Sequence, residues 1–323
     1  MVENGKFVLE KLIASCNGKC NPICSFSIEE LKQATNDYDR QKMITKGGGY
    51  ELYKGDFHCQ DRLISVLKFQ DYWANELDFN SWLNNIVFPS QMNHKIILKL
   101  IGSCLETHLP ILVFEYVKHG TFHDQSDNSF QLTHRLKIIM EIANAVAYLH
   151  LGFSRPILFK DINSSHILFD EYYVPKLFNF SVSKFIPEGE THITNRVRGT
   201  SGHVAPESLH TGYFNEKSDV YSFGLLLFEV LTGQRAIDLL RLMNWDLHSL
   251  RDQVRIRIEN NKFNEILNLV IVRAGSCPGE DQHLQALVEL AFKCLSNSAE
   301  DRPTMIQVAK TTLANVSIQL IIS

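Results

Sequence analysis

The dominant hydrophobic period of this chain shifts near residues 115–120, from mostly strand-like before to mostly helical after. Before that point the stretches ELYKGDF and RLISVLKF alternate as half-buried strands do, and LKLIGSC and ILVFEYV are apolar runs of strand length. One helical stretch, from about Asn75 to Phe88 and ended near Pro89, interrupts them. After Gly120 the spacing turns helical. In LTHRLKIIMEIANAVAYLHL, residues Leu132, Leu136, Ile139, Ile142, Ala143, Val146 and Leu149 share one face. Short strand-like pieces follow at 157–178, then a polar segment to about 207. Helical patterns return at 217–232, 246–259, 282–295 and 303–316. There is no internal repeat. These patterns predict an α+β chain: a small β-rich part followed by a larger helical one. Its 323 residues suit about two domains, or one two-lobed unit.

Charge and composition narrow the function. The 32 basic and 36 acidic residues leave a net charge of −4, which argues against a nucleic-acid partner. No apolar run approaches the ~20 residues of a membrane helix. The N-terminus does not read as a signal peptide, and Val2 rules out N-myristoylation. Seven cysteines, an odd number, fit a reducing compartment. Three of them, Cys16, Cys20 and Cys24, sit four apart in an N-terminal extension, residues 1–25. They read as free surface thiols, with acylation or a metal as the alternatives. The next stretch, FSIEELKQATNDY, carries a capping box at Ser27 and Glu30 and predicts a short docking helix.

The order and spacing of the remaining motifs resemble a protein kinase over residues 26–316, and within that family the plant receptor-like cytoplasmic kinases. FSIEELKQATN looks like the family's lead-in helix, LVFEYV its hinge and GTSGHVAPES the end of its activation segment. KSDVYSFGLLLFEVLTG looks like its central helix and CLSNSAEDRPTM its C-terminal anchor. The resemblance implies a two-lobed kinase-like fold. It has an N-lobe with lead-in helix at 26–117, a helical C-lobe at 118–316 and a tail at 317–323.

The catalytic parts depart from the family pattern. In ITKGGGYELYKG only Gly47 keeps a family glycine, and Thr45 and Tyr50 stand where the other two would be. Lys68 is read as the phosphate-contacting lysine, with Glu115 and Val117 at the hinge as the rest of a degenerate nucleotide site. Asn85 stands where an acid would pair with that lysine; Glu76 or Asp78 is the substitute on offer. Asp161 matches the catalytic base. Around it Phe159 and Lys160 replace His-Arg, Asn163 replaces a lysine, and His166 replaces a metal-binding Asn. Asn179-Phe180-Ser181 stands where the family has Asp-Phe-Gly. Magnesium requires hard oxygen ligands, and an amide with an imidazole is a poor substitute. By contrast, Glu207 and Arg302 match the family's buried ion pair, and Asp219 the acid that holds the catalytic-loop backbone.

Scaffold kept with metal ligands lost is the pattern of a pseudokinase. It predicts no required cofactor, with metal-independent ATP binding left open. The alternatives are a weak or atypical serine/threonine kinase using Lys68 and Asp161, and a nucleotide sensor. Thr191, Thr194, Thr200 and Ser201, near Arg196 and Arg198, are candidate phosphosites or plain loop composition. The FKDINSSHILFD loop and the Asn-Phe-Ser motif are similar to pseudokinases related to the HopZ-effector immunity-deficient protein, the ZED-related kinases. That resemblance implies an adaptor in plant immunity. Its partners would be a coiled-coil nucleotide-binding leucine-rich-repeat receptor and active receptor-like cytoplasmic kinases. It would be cytoplasmic, reaching the inner face of the plasma membrane through those partners.

Overall fold

A computed structural model describes residues 5, 8, 10, 12, 23–57, 62–70, 76–124, 130–200, 202–232 and 281–322. The expected helix at 246–259, the thiols Cys16 and Cys20, and Ser201 lie outside them. Cys24 is an exposed free thiol. The chain divides into two compact units, Met1–Asp124 with Ser165–Val182, and Gln125–Ser164 with Ser183–Ser323. This division differs from a boundary at 117/118 in two respects: residues 118–124 and the segment 165–182 both belong to the first unit. The cause is strand pairing. In the first unit β9 (Ile167–Phe169) pairs with β7 (His119–Thr121) and β10 (Pro175–Leu177), and Leu177 bridges to Ile97.

The first unit is built on a six-stranded sheet. Its spatial order is β1 (Cys24–Ser25), β5 (Leu100–Cys104), β6 (Ile111–Glu115), β4 (Arg62–Phe69), β3 (Tyr50–Phe57) and β2 (Met43–Gly47). All pairings are antiparallel except β1 with β5. Strand alternation sorts the side chains onto two faces. On one face Leu52, Leu67, Leu112 and Phe114 pack with Leu83 and Ile86 of α2 (Glu76–Val87). On the other, Ile64, Val66, Ile111 and Val113 pack with Leu31 of α1 (Ile28–Thr35). The capping box forms: Glu30 N–H donates to Ser27 Oγ and Ser27 N–H to Glu30 Oε2. A helix therefore covers each face, and each fully buried Leu or Ile contributes about 1.5–3 kcal/mol.

The second unit is helical. Its centre is α5 (Glu216–Thr232), whose residues Ser218–Thr232 are all buried. Such a helix is apolar around its circumference because neighbours surround it. It packs against α3 (Leu132–Leu151) and α6 (Asp281–Cys294), and α7 (Met305–Ile322) packs against both of those. The helix expected to end at 316 thus continues to Ile322. Gly224 lets α6 come close, since a Cβ there would lie 2.6 Å from Cys294 Cβ. The short elements are β8 (Ile157–Leu158) paired with β11 (Lys184–Phe185), β12 (Ile193–Thr194) paired with β13 (Tyr213–Phe214), and α4 (Pro206–Thr211). Among the described residues no helix is long and apolar enough to cross a membrane.

Candidate functional site

Of the residues read as a nucleotide site, Gly47 and Val117 border one apolar cluster, and Lys68 does not join them. Gly47 pairs with Tyr50 across the turn at the end of β2. The Tyr50 ring lies so close that a Cβ on Gly47 would sit 2.2 Å from its Cε1. Tyr50 is buried, meets Phe178 edge-on at 5.6 Å, and burial pushes its phenol well above the usual range. Lys68 is exposed, with Nζ 4.7 Å from the centre of the Tyr38 ring. Period-two alternation puts it on the α1 face with Ile64 and Val66. The inward position is Leu67, cross-strand from Leu52 in the same cluster as Tyr50 and Val117. The Val117 N–H donates to Ser65 Oγ at 3.0 Å. The Glu115 carboxylate accepts from Lys176 Nζ at 3.0 Å and from the Lys99 N–H at 3.1 Å.

The two expected metal positions face each other directly. The Asn179 side-chain amide donates to His166 Nε2 at 2.8 Å. The Asn179 amide oxygen is occupied too, by the Ser181 hydroxyl and more distantly by the Ser181 N–H at 3.4 Å. Asn179 has φ 68°, a left-handed conformation that Asn tolerates better than most residues. The segment is then pinned to α2. Asn85 Oδ1 accepts the Phe180 N–H at 2.8 Å, and Asn85 Nδ2 donates to Ser181 Oγ at 3.0 Å. Asn84 Nδ2 donates to the Ser181 carbonyl at 2.9 Å. Phe180 is buried and stacks on Phe88 at 6.0 Å. Four departures from the kinase pattern (Asn85, His166, Asn179 and Ser181) are therefore linked in one hydrogen-bonded chain. An ion cannot enter between Asn179 and His166 while they bond to each other. The donor set, an amide and an imidazole that satisfy each other, does not fit a divalent metal. The side chains of Glu76 and Asp78 lie outside the described residues.

In the second unit Asp161 is buried, and its Oδ1 accepts from the Thr200 N–H at 2.8 Å and from Asn163 Nδ2 at 3.0 Å. Asn163 also reaches the Thr200 hydroxyl at 3.0 Å. Asp219, fully buried, accepts the Phe159 and Lys160 N–H groups at 2.8 and 2.7 Å, with His150 Nε2 at 2.9 Å. This holds Lys160 at φ 71°. The Lys160 ammonium lies 3.9 Å from the centre of the Phe214 ring. Burial, then Lys184 nearby, lowers its pKa to about 8. Arg302 makes a two-pronged pair with Glu207, both at 2.7 Å, and donates to the Ser296 and Lys217 carbonyls. Thr191, Thr194 and Thr200 are exposed.

The pattern of the family described as protein tyrosine and serine/threonine kinase matches residues 39–312, nearly the whole of both units. This chain belongs to the protein kinase family. The kinase-family chain is 35% identical to the serine/threonine-protein kinase ZRK1 of Arabidopsis thaliana, across 96% of its own length and 90% of that protein. It is 36% identical to the non-functional pseudokinase ZRK2 of Arabidopsis thaliana, across 96% of its length and 88% of that protein. Both bear out the resemblance to the ZED-related plant kinases. A wall-associated receptor kinase 2 is 33% identical over 95% of this chain but only 41% of the receptor.

Sequence reasoning noted the loss of a glycine at Tyr50 but missed what the ring does. It also missed Leu67. The alternation of RLISVLKF carried that signal, since Lys68 shares its parity with Ile64 and Val66. For Asn84 and for the strap from Thr45 Oγ1 to Asp124 Oδ2, at 2.8 Å, the sequence carried no signal.

Proposed function

We propose that this kinase-family chain transfers no phosphoryl group and works as a binding protein. The observation that carries this reading is the 2.8 Å hydrogen bond between Asn179 and His166. Phosphoryl transfer depends on metal-held phosphates, and here the two seats satisfy one another instead. The inward Leu67 supports it further, because a leucine offers a phosphate no charge. On this reading Asp161 positions the Thr200 backbone rather than deprotonating a substrate, and no nucleotide or metal is required. The resemblance to the ZED-related group supports a finer statement: an adaptor in plant defence joining a coiled-coil immune receptor to active receptor-like cytoplasmic kinases. It would act in the cytoplasm, at the inner face of the plasma membrane when its partners bring it there. The competing reading, a weak serine/threonine kinase, is favoured by the presence of Asp161 and by the name of ZRK1.

The deciding experiment is incorporation of labelled phosphate by the full chain with Mg²⁺ or Mn²⁺, on itself and on a generic protein substrate. None is expected. Incorporation that disappears in Asp161→Ala would establish the weak kinase instead. For the adaptor role, affinity capture from plant tissue should return immune receptors and cytoplasmic kinases; their absence would remove that finer statement alone.

A further inference from the structure

We propose that Tyr50 is a built-in occupant of the remnant nucleotide site, and that the space it fills takes a neutral purine nucleoside once the ring is withdrawn. The proposal rests on reading this sheet as a former nucleotide site, but not on whether the chain is catalytic. Tyr50 begins a strand beside an open glycine turn, a place where a tyrosine would ordinarily reach solvent. Its side chain instead turns under Gly47 and is 6% exposed. There it joins Leu52, Leu67, Val117, Leu168 and Phe178 in one apolar cluster. Both positions where the kinase pattern has lost a glycine make closing contacts. Tyr50 supplies the ring. Thr45 straps β2 to the 119–124 segment through Asp124, whose Oδ2 also takes the Thr121 N–H at 2.8 Å.

The chemistry of the walls selects the ligand class. Planar aromatic and branched apolar side chains suit a flat heterocycle. The Val117 N–H is the donor that a ring nitrogen would accept, and its present acceptor is a serine hydroxyl, which can rotate away. On β4, Leu67 points into this cluster and Lys68 away from it. At the lysine position a triphosphate meets an apolar side chain, so it should bind no better than the free nucleoside, with or without Mg²⁺.

The probes are adenosine and ATP, each with and without Mg²⁺, titrated into the full chain and read by thermal shift. Wild type should not shift. Tyr50→Gly should gain an upward shift of about 2 °C or more at tenfold excess over Kd, equal for adenosine and ATP and indifferent to Mg²⁺. Gly47→Ala reaches the same state by another route, because its methyl would displace the ring. Tyr50→Phe should behave as wild type. A measurement on unaltered protein does not depend on any variant folding: nitration by tetranitromethane, mapped by peptide mass. Tyr172, 79% exposed, should react rapidly and Tyr50 not at all until the chain unfolds. Folded Tyr50→Gly and Gly47→Ala proteins that gain no adenosine binding would overturn the proposal. So would native Tyr50 reacting as fast as Tyr172, or wild type binding adenosine with Tyr50 still protected. Phosphate incorporation by wild type would overturn the non-catalytic reading only, so the two failures are distinguishable.

Discussion

His203 is buried, bonded through Nδ1 to the Ile162 carbonyl, with Glu229 Oε1 3.7 Å from its other nitrogen. Burial opposes a charge on this ring. The nearby Glu229 carboxylate, then the charge of Asp161, outweigh it and raise the pKa above the ordinary value. A raised folded-state pKa stabilises the fold fully below the unfolded value, about 6.5, and that contribution is lost as pH rises through the folded pKa. Lys160 has the opposite sign. Its pKa is lowered to about 8, so its favourable contribution lies above the unfolded value and is lost as pH falls through about 8. The two therefore act in different windows. Thermal melts between about pH 6 and pH 8 should show wild type losing stability relative to His203→Gln as pH rises. Parallel curves for the two proteins would mean that His203 is not charged in the fold.

At the scale of elements, α2 and the 179–181 segment illustrate how much rests on amides. Asn85 was expected as the residue standing in for an acid, and the spacing of SWLNNIVF was enough to find it. Its actual work is to accept the Phe180 N–H and hold Ser181. Asn85→Ala would leave that buried N–H without its acceptor, at a cost of about 1–3 kcal/mol. Urea denaturation should register the loss, and amide exchange at Phe180 should accelerate more than at Leu52 of β3. Equal acceleration at both would mean that the segment is not held separately by α2. The same element scale explains Lys68. A motif match tolerates a shift of one residue, but a strand does not, because each single step reverses the face.

Across the whole molecule, activity in a kinase fold needs several parts in place together, and such parts do not contribute additively. The triple reversion His166→Asn, Asn179→Asp, Ser181→Gly would restore metal ligands and a flexible turn. It would leave Leu67 where a cation is needed, Asn85 where an acid is needed and the Tyr50 ring under Gly47. No phosphate incorporation above wild type is expected from it. A measurable gain would show that the metal seats alone limit the chain.

The class of fold, the family and the positions at which the kinase pattern is broken were legible in the order of residues, because hydrophobic period and motif order are local properties of the chain. That order also marked Asp219, Glu207 and Arg302, whose roles depend on residue types at fixed spacings. The work that the replacement residues do emerged from the folded chain. Asn85, His166 and the Asn179–Ser181 segment lie apart in sequence, and nothing local says that the three bond to one another. Whether Lys68 or Leu67 faces inward depends on which side of β4 each helix covers. Whether Tyr50 points out or fills a pocket depends on apolar walls drawn from five strands, one hinge residue and α2. Hydrogen-bond partners and buried faces are pairwise facts of the folded chain, and a list of residues in order does not contain them.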